Sequence, residues 1–258
     1  MRVRKRFLVL MIALVVSMGC HSRDLLIAGP PWPPFLIPDH PRKGVATEIV
    51  VTCLERAGYS AKVVIKPWPR VLAEARRGDI DALVGLWYNP ERAEQFYYTN
   101  PYYVNEIYLF RLRDHPIHYS SLEDLVGISI GVRQNAWYGG EFDKADFLQK
   151  VELNELVSIL RMVSIGRLDA GVGDRLIIQG LIESEPQLGD RLAFSEPAVS
   201  LLPLHMGMSR KHPDHREIVS RFNQALKELL DDGTLSNIYK DWNIVQSPEL
   251  ASQFANKK

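Results

Sequence analysis

The chain has 258 residues, 46% apolar and 24% charged, with a mean hydropathy of −0.11, values ordinary for a soluble globular protein of one large domain or two modest ones. Formal charge is balanced at 31 basic and 31 acidic residues. Four of the basic residues lie within residues 1–19, which carry no acid, so the remainder holds 27 against 31, a net charge of −4 that argues against a nucleic-acid partner.

At the N-terminus Arg2, Arg4, Lys5 and Arg6 precede the apolar run Phe7 to Val16, then Ser17 and Gly19 bracket Met18 before Cys20. A basic start, a ten-residue apolar run and a small-x-small site describe a secretory signal peptide over residues 1–19. The run is too short to span a bilayer, which takes about 20 apolar residues. Ser17-Met18-Gly19-Cys20 also resembles the lipobox of bacterial lipoproteins, with Ser17 where Leu is usual, so lipidation at Cys20 and cleavage by ordinary signal peptidase both stay open. Cys53, the only other cysteine, falls in an apolar stretch and reads as a lone buried thiol; a bridge to Cys20 requires that Cys20 is not acylated.

Beyond the leader, 25–28 reads as a buried strand ended by Gly29-Pro30-Pro31, and a Pro-rich loop through Pro41 carries Trp32 and Phe35. Apolar spacing predicts a helix over 47–57, a strand over 62–65, a helix over 69–76 and a strand over 80–84. This βαβαβ order implies a parallel sheet. The strand carries the phrase Gly78-Asp79-Ile80-Asp81-Ala82-Leu83-Val84-Gly85. After an apolar segment at 108–111, strands are predicted at 128–132 and 151–153 and a helix at 156–165. The phrase then returns as Gly166-Arg167-Leu168-Asp169-Ala170-Gly171-Val172-Gly173, 88 residues on, with a strand over 168–172. An apolar segment at 204–208 and helices at 216–230 and 235–242 complete the chain.

A repeat of that length suits one small α/β lobe and is too long for a stacked solenoid. Two such lobes imply a cleft, with residues 24–111 and 207–245 forming lobe 1, residues 112–206 lobe 2, and residues 246–258 a C-terminal tail. Two crossings between the lobes make a hinge. Arg92 stands just past the first copy and Asp174 directly after the second. The acids inside the phrase, Asp81 and Asp169, are expected to fix local backbone because both copies have them.

The layout resembles the extracellular solute-binding proteins of family 3, the polar amino-acid type that serves ABC importers. The resemblance is carried by Trp32-Pro33-Pro34-Phe35, the two repeated phrases, Asn89-Pro90-Glu91-Arg92, Asn100-Pro101-Tyr102-Tyr103, Ser121 to Ile128, and Asp232 to Trp242. It implies a two-lobed type II periplasmic binding protein fold, each lobe a mainly parallel sheet flanked by helices. It also implies that Arg92 grips a ligand carboxylate, that Asp174 receives an α-amino group, and that Trp32 covers the ligand. The chemistry agrees: a guanidinium meets a carboxylate with two parallel hydrogen bonds, and a zwitterion bridging the lobes favours closure.

The chain departs from the family pattern where Gly85-Leu86-Trp87 replaces hydroxyl residues and where Asn135-Ala136-Trp137 replaces Gly-Thr-Thr, which implies a more apolar, stacking pocket. Trp68, Trp87 and Trp137 join Trp32 as candidate cleft aromatics, Gly85 offers backbone N–H, and Arg133 could meet an acidic ligand. Trp242 is expected to pack, and Glu48 to cap a helix or touch the hinge. His115 and His118, and His212 and His215, sit beside prolines in polar stretches and offer no metal site. No cofactor is expected, and no phosphate loop, zinc-protease motif or nucleophile elbow occurs.

The expected protein is a monomeric periplasmic or extracytoplasmic binding protein that passes a small zwitterionic or acidic ligand to an ABC permease, touching a membrane only through a lipid on Cys20. Two alternatives remain: a cyclohexadienyl dehydratase-like enzyme on the same fold, with a cleft carboxylate as general acid, and a ligand-sensing partner of a membrane receptor.

Overall fold

The computed structural model describes residues 24–134 and 136–245. The leader with Cys20, Asn135 and the tail lie outside the described residues.

In the first half, β1 (Leu25–Gly29), α1 (Val45–Arg56), β2 (Ala61–Ile65), α2 (Trp68–Arg77) and β3 (Ala82–Trp87) follow in the predicted order. β1 pairs in parallel with both β2 and β3, giving the spatial order β2-β1-β3. A short α3 (Pro90–Ala93) and β4 (Phe96–Tyr98) lead into β5 (Tyr103–Leu112).

The second half repeats the plan. β6 (Ser129–Arg133) pairs in parallel with β7 (Gln149–Leu153) and β8 (Ala170–Asp174), giving β7-β6-β8. Helices α4 (Gly140–Lys144), α5 (Leu156–Ser164), α6 (Arg175–Ser184) and α7 (Pro186–Gly189) accompany these strands. The long β9 (Leu192–Ser209) then leads to α8 (His215–Asp231) and α9 (Thr234–Asp241).

The repeated phrase occupies matching places. Ile27 faces Ala82 across β1 and β3, and Ile130 faces Ala170 across β6 and β8. In each copy the acid braces the neighbouring strand: Leu26 N–H donates to Asp81 Oδ2 at 2.8 Å, and Ser129 N–H donates to Asp169 Oδ2 at 2.8 Å. Both acids therefore hold backbone, as expected from their repetition.

β5 and β9 turn out far longer than the apolar segments that announce them. They run antiparallel from Tyr103↔Leu204 to Leu112↔Leu192. β9 continues onto β3 and β4 in the first half, while β5 continues alongside β8 in the second. Polar Asn105, Glu106, Ser195, Glu196 and His205 interrupt the apolar pattern, because a strand passing between two halves changes surroundings along its length.

The strands form one nine-stranded sheet, and each half of it is covered on both faces. In the first half Ile27, Val84 and Met206 pack with Ile49, Phe222 and Leu226, while Ala28, Leu83 and Leu86 meet Val71 and Ala75 of α2. In the second, Ile130 and Val172 pack with Phe142 and Tyr119, and Phe110 meets Ile159, Val163 and Ile178. Cys53 is a buried free thiol whose pKa is raised by burial. Trp242 packs against the first core, donates from Nε1 to Glu48 Oε2 at 2.6 Å, and lies under the Arg42 guanidinium. Glu48 thus ties the C-terminal helix to α1; the N-cap of α1 is Gly44.

Candidate functional site

Asp174 closes β8 and opens α6. As N-cap it accepts the Ile177 N–H on Oδ1 at 3.0 Å, where the helix places unpaired amides and a partial positive charge. Its other oxygen, Oδ2, accepts from Asn105 Nδ2 at 2.7 Å. The residue is only 6% exposed. Burial pushes its carboxyl up to about 6; the Asn105 amide and the backbone N–H groups of Ile177 and Leu176 oppose the rise, and the Glu106 charge adds to it.

Across from Asp174 stands Trp87, the last residue of β3, packed against the cores of both halves. Its Nε1–H donates to Asn105 Oδ1 at 2.9 Å. A fully buried asparagine on β5 thus joins the tryptophan of the first half to the acid of the second. Trp32 stands edge-on to Trp87 with centroids 5.4 Å apart, and Trp137 approaches from the other half at 6.0 Å. Trp137 is 38% exposed, so the aromatic group reaches the surface.

Gly85 lies against Trp32. Its φ of 78° lies in the left-handed region, and a Cβ there would sit 3.4 Å from Trp32 Cζ3. The indole rests on the backbone at this position. Trp32 is itself fixed by paired backbone hydrogen bonds with Leu36 at 2.8 Å and by Phe35 at 4.4 Å.

Arg92 belongs to a second group. Asn89 caps α3 by accepting the Arg92 N–H at 3.1 Å, and the Arg92 guanidinium lies 5.2 Å from the Trp68 ring centroid. Tyr98 connects this pair to the first group, because its hydroxyl donates to the Trp87 carbonyl at 3.3 Å and Arg92 acts on it electrostatically. Burial dominates over that charge and pushes the Tyr98 hydroxyl up to about 12. Among the described residues Arg92 has no ion-pair partner and no hydrogen bond to Asp174.

The structure therefore brings together Trp32, Gly85, Trp87, Trp137 and Asp174, and keeps Arg92 and Trp68 as a separate stacked pair. Arg133 is exposed at the end of β6; its backbone N–H donates to the Tyr138 hydroxyl at 2.8 Å. Sequence reasoning missed Asn105. Its one signal was a lone amide among Tyr102, Tyr103, Val104 and Ile107, where a buried polar group must find partners.

Two parallel-stranded halves, each covered by helices, joined by two long strands and meeting at a buried acid and an aromatic cluster, define a two-lobed type II binding protein. The chain belongs to the bacterial extracellular solute-binding proteins, family 3, whose family model matches residues 26–245. It is 25% identical over 206 residues to the arginine-binding extracellular protein ArtP of Bacillus subtilis (strain 168), covering 77% of each chain. Its fold resembles an ancestral arginine-binding protein bound to arginine, with TM-score 0.66, 22% identity, and 86% and 99% of the two chains covered. It likewise resembles a histidine kinase sensor domain with similarity to periplasmic binding proteins, at TM-score 0.68, 22% identity and 88% and 99% coverage. These relatives are binding and sensor proteins. Among the described residues no helix is long and apolar enough to cross a membrane.

Proposed function

We propose that the protein captures a free α-amino acid between its lobes and delivers it to an ABC permease from the extracytoplasmic side. The single observation that carries the choice of ligand class is Asp174, a buried carboxylate on a helix N-terminus with no ion-pair partner among the described residues. Burying an anion without a counter-charge is costly, and a ligand ammonium group removes that cost. Arg92, held over Trp68, is the complementary group for the α-carboxylate. Trp32, Trp87 and Trp137 offer flat apolar surface to the ligand side chain, and Trp68 extends it. Gly85 supplies backbone rather than a hydroxyl, and Arg133 stands outside the group as a rim cation.

The lobes proposed from the sequence, 24–111 with 207–245 and 112–206, move about β5 and β9 as the protein closes. Aromatic faces also suit a guanidinium, and several relatives carry arginine in their names, so L-arginine is the first ligand to try. The protein works as a monomer, exported by its leader and tethered if Cys20 is acylated.

Isothermal calorimetry against the twenty amino acids tests the reading. Binding of at least one, with loss of it in Asp174→Asn, supports the assignment. An absence of binding across the panel, or unaltered affinity in that variant, contradicts it. A dehydratase role predicts turnover of prephenate or arogenate by the purified protein, and its absence retires that alternative.

A further inference from the structure

Asn105 is fully buried on β5 and uses both ends of its amide. The indole N–H of Trp87 can only donate, so it takes the Asn105 oxygen and turns the Nδ2 group toward Asp174. With the amide reversed, two donors would face each other and the Asp174 carboxylate would meet a carbonyl. The orientation is thus set by chemistry in the first half and delivered to the acid in the second.

The surroundings of Asp174 give this donor weight. From β5, Glu106 acts on it as a like charge, and burial, with Asp174 and Glu106, holds the Tyr103 hydroxyl well above its ordinary value and so neutral. From α6 come only the backbone N–H groups of Leu176 and Ile177. Arg175, the next residue, points elsewhere: its guanidinium lies over Tyr108 at 5.0 Å and Phe194 at 5.3 Å, and 3.8 Å from Glu196. Among the described residues Asn105 is the one side chain that donates to Asp174.

We infer that Asn105 is a positioning residue: aimed by the Trp87 indole, it keeps the Asp174 carboxylate ionised and oriented to receive the ligand's ammonium group. Its hydrogen bond stabilises the charged form, and its anchor on Trp87 makes that stabilisation depend on the aromatic cluster. The same tryptophan that contacts the ligand side chain therefore tunes the group that receives its amine. The ligand-binding part of this inference rests on the proposed amino-acid role; the effect on Asp174 ionisation does not.

Two measurements on the full mature chain separate those parts. The first is carboxyl titration by carbon-13 NMR of aspartate-labelled, ligand-free protein, with the Asp174 signal assigned from Asp174→Asn. Asn105→Ala should raise the Asp174 midpoint by about one pH unit, and Trp87→Phe, which keeps a ring but removes the N–H, should raise it by less. The second is L-arginine calorimetry at pH 5 and pH 8. Asn105→Ala should lose about tenfold more affinity at pH 5 than at pH 8, because the carboxyl ionises again at the higher pH. A purely structural role for Asn105 weakens binding equally at both. An unmoved midpoint in both variants overturns the inference, and so does an equal loss at both pH values. If Asn105→Ala fails to fold, the Trp87→Phe midpoint decides alone. Failure of the unsubstituted protein to bind L-arginine counts against that choice of ligand, while the NMR midpoints still judge Asn105.

Discussion

The two copies of the repeated phrase share a backbone and differ in what they are used for. Asp81 and Asp169 brace β1 and β6 through the same hydrogen bond, and Ala82 and Ala170 sit in equivalent registers. The neighbouring position diverges with its packing. Leu83 fills a core, whereas Gly171 leaves room for Phe110, whose Cζ would lie 2.2 Å from an added Cβ. The ends diverge most. The first copy runs into Trp87 and a loop that presents Arg92 over Trp68, while the second stops at the buried Asp174. A duplicated scaffold thus places a cation on one lobe and an anion on the other, and the scaffold can be tested apart from what it carries.

The largest effect is expected at the divergent end of the second copy. Asp174→Asn should weaken amino-acid binding by about 3–5 kcal/mol, more than a hundredfold by calorimetry, because a ligand ammonium then meets a neutral amide. Arg92→Ala should cost about 2–3 kcal/mol of affinity, somewhat less because this cation is only half-buried. If Arg92→Ala binds as well as the unsubstituted protein, the comparison loses its first half.

The pH dependence sharpens the same contrast. The folded Asp174 titrates near 6, above the 3.8 of an ordinary aspartate, so between those values the folded state holds a proton the unfolded chain has released. Stability of the ligand-free protein should therefore fall as pH rises from about 4 to about 6, by about 3 kcal/mol from this group, with the loss complete above pH 6. Ligand affinity should run the other way, falling about tenfold per unit as pH drops below about 6. Urea unfolding and calorimetry across that range check both, and Asp174→Asn should flatten both profiles.

Substitutions in the shared part should spare binding and touch stability alone. Asp81→Ala removes the acceptor of the partly buried Leu26 N–H and should cost about 1–2 kcal/mol in urea unfolding. Asp169→Ala, at a more exposed site where Ser129 can turn to water, should cost under about 1 kcal/mol. Gly85→Ala, by contrast, lies in the site itself and should cost about 1–2 kcal/mol in urea unfolding from its left-handed backbone.

The shared scaffold was the legible part of the sequence. Period-2 and period-3.6 patterning located α1, α2, β6, α5, α8 and α9 to within a residue or two, because each presents one apolar face to a core. β3 begins at Ala82 rather than residue 80, since Asp81 is spent on Leu26. β5 and β9 were mostly hidden, because polar residues near the lobe junction break the alternation that marks a strand. Asn105 was hidden for a related reason: its partners Trp87 and Asp174 lie 18 and 69 residues away, beyond any local pattern.

The central claim is that an amino acid lies between the lobes with its ammonium on Asp174 and its carboxylate on Arg92. A crystal structure of the protein with its calorimetrically identified amino acid tests it most directly. The account predicts the ligand nitrogen about 3 Å from the Asp174 carboxylate and the ligand carboxylate paired with the Arg92 guanidinium. A ligand seated with neither contact, or with its two charged ends exchanged, contradicts it.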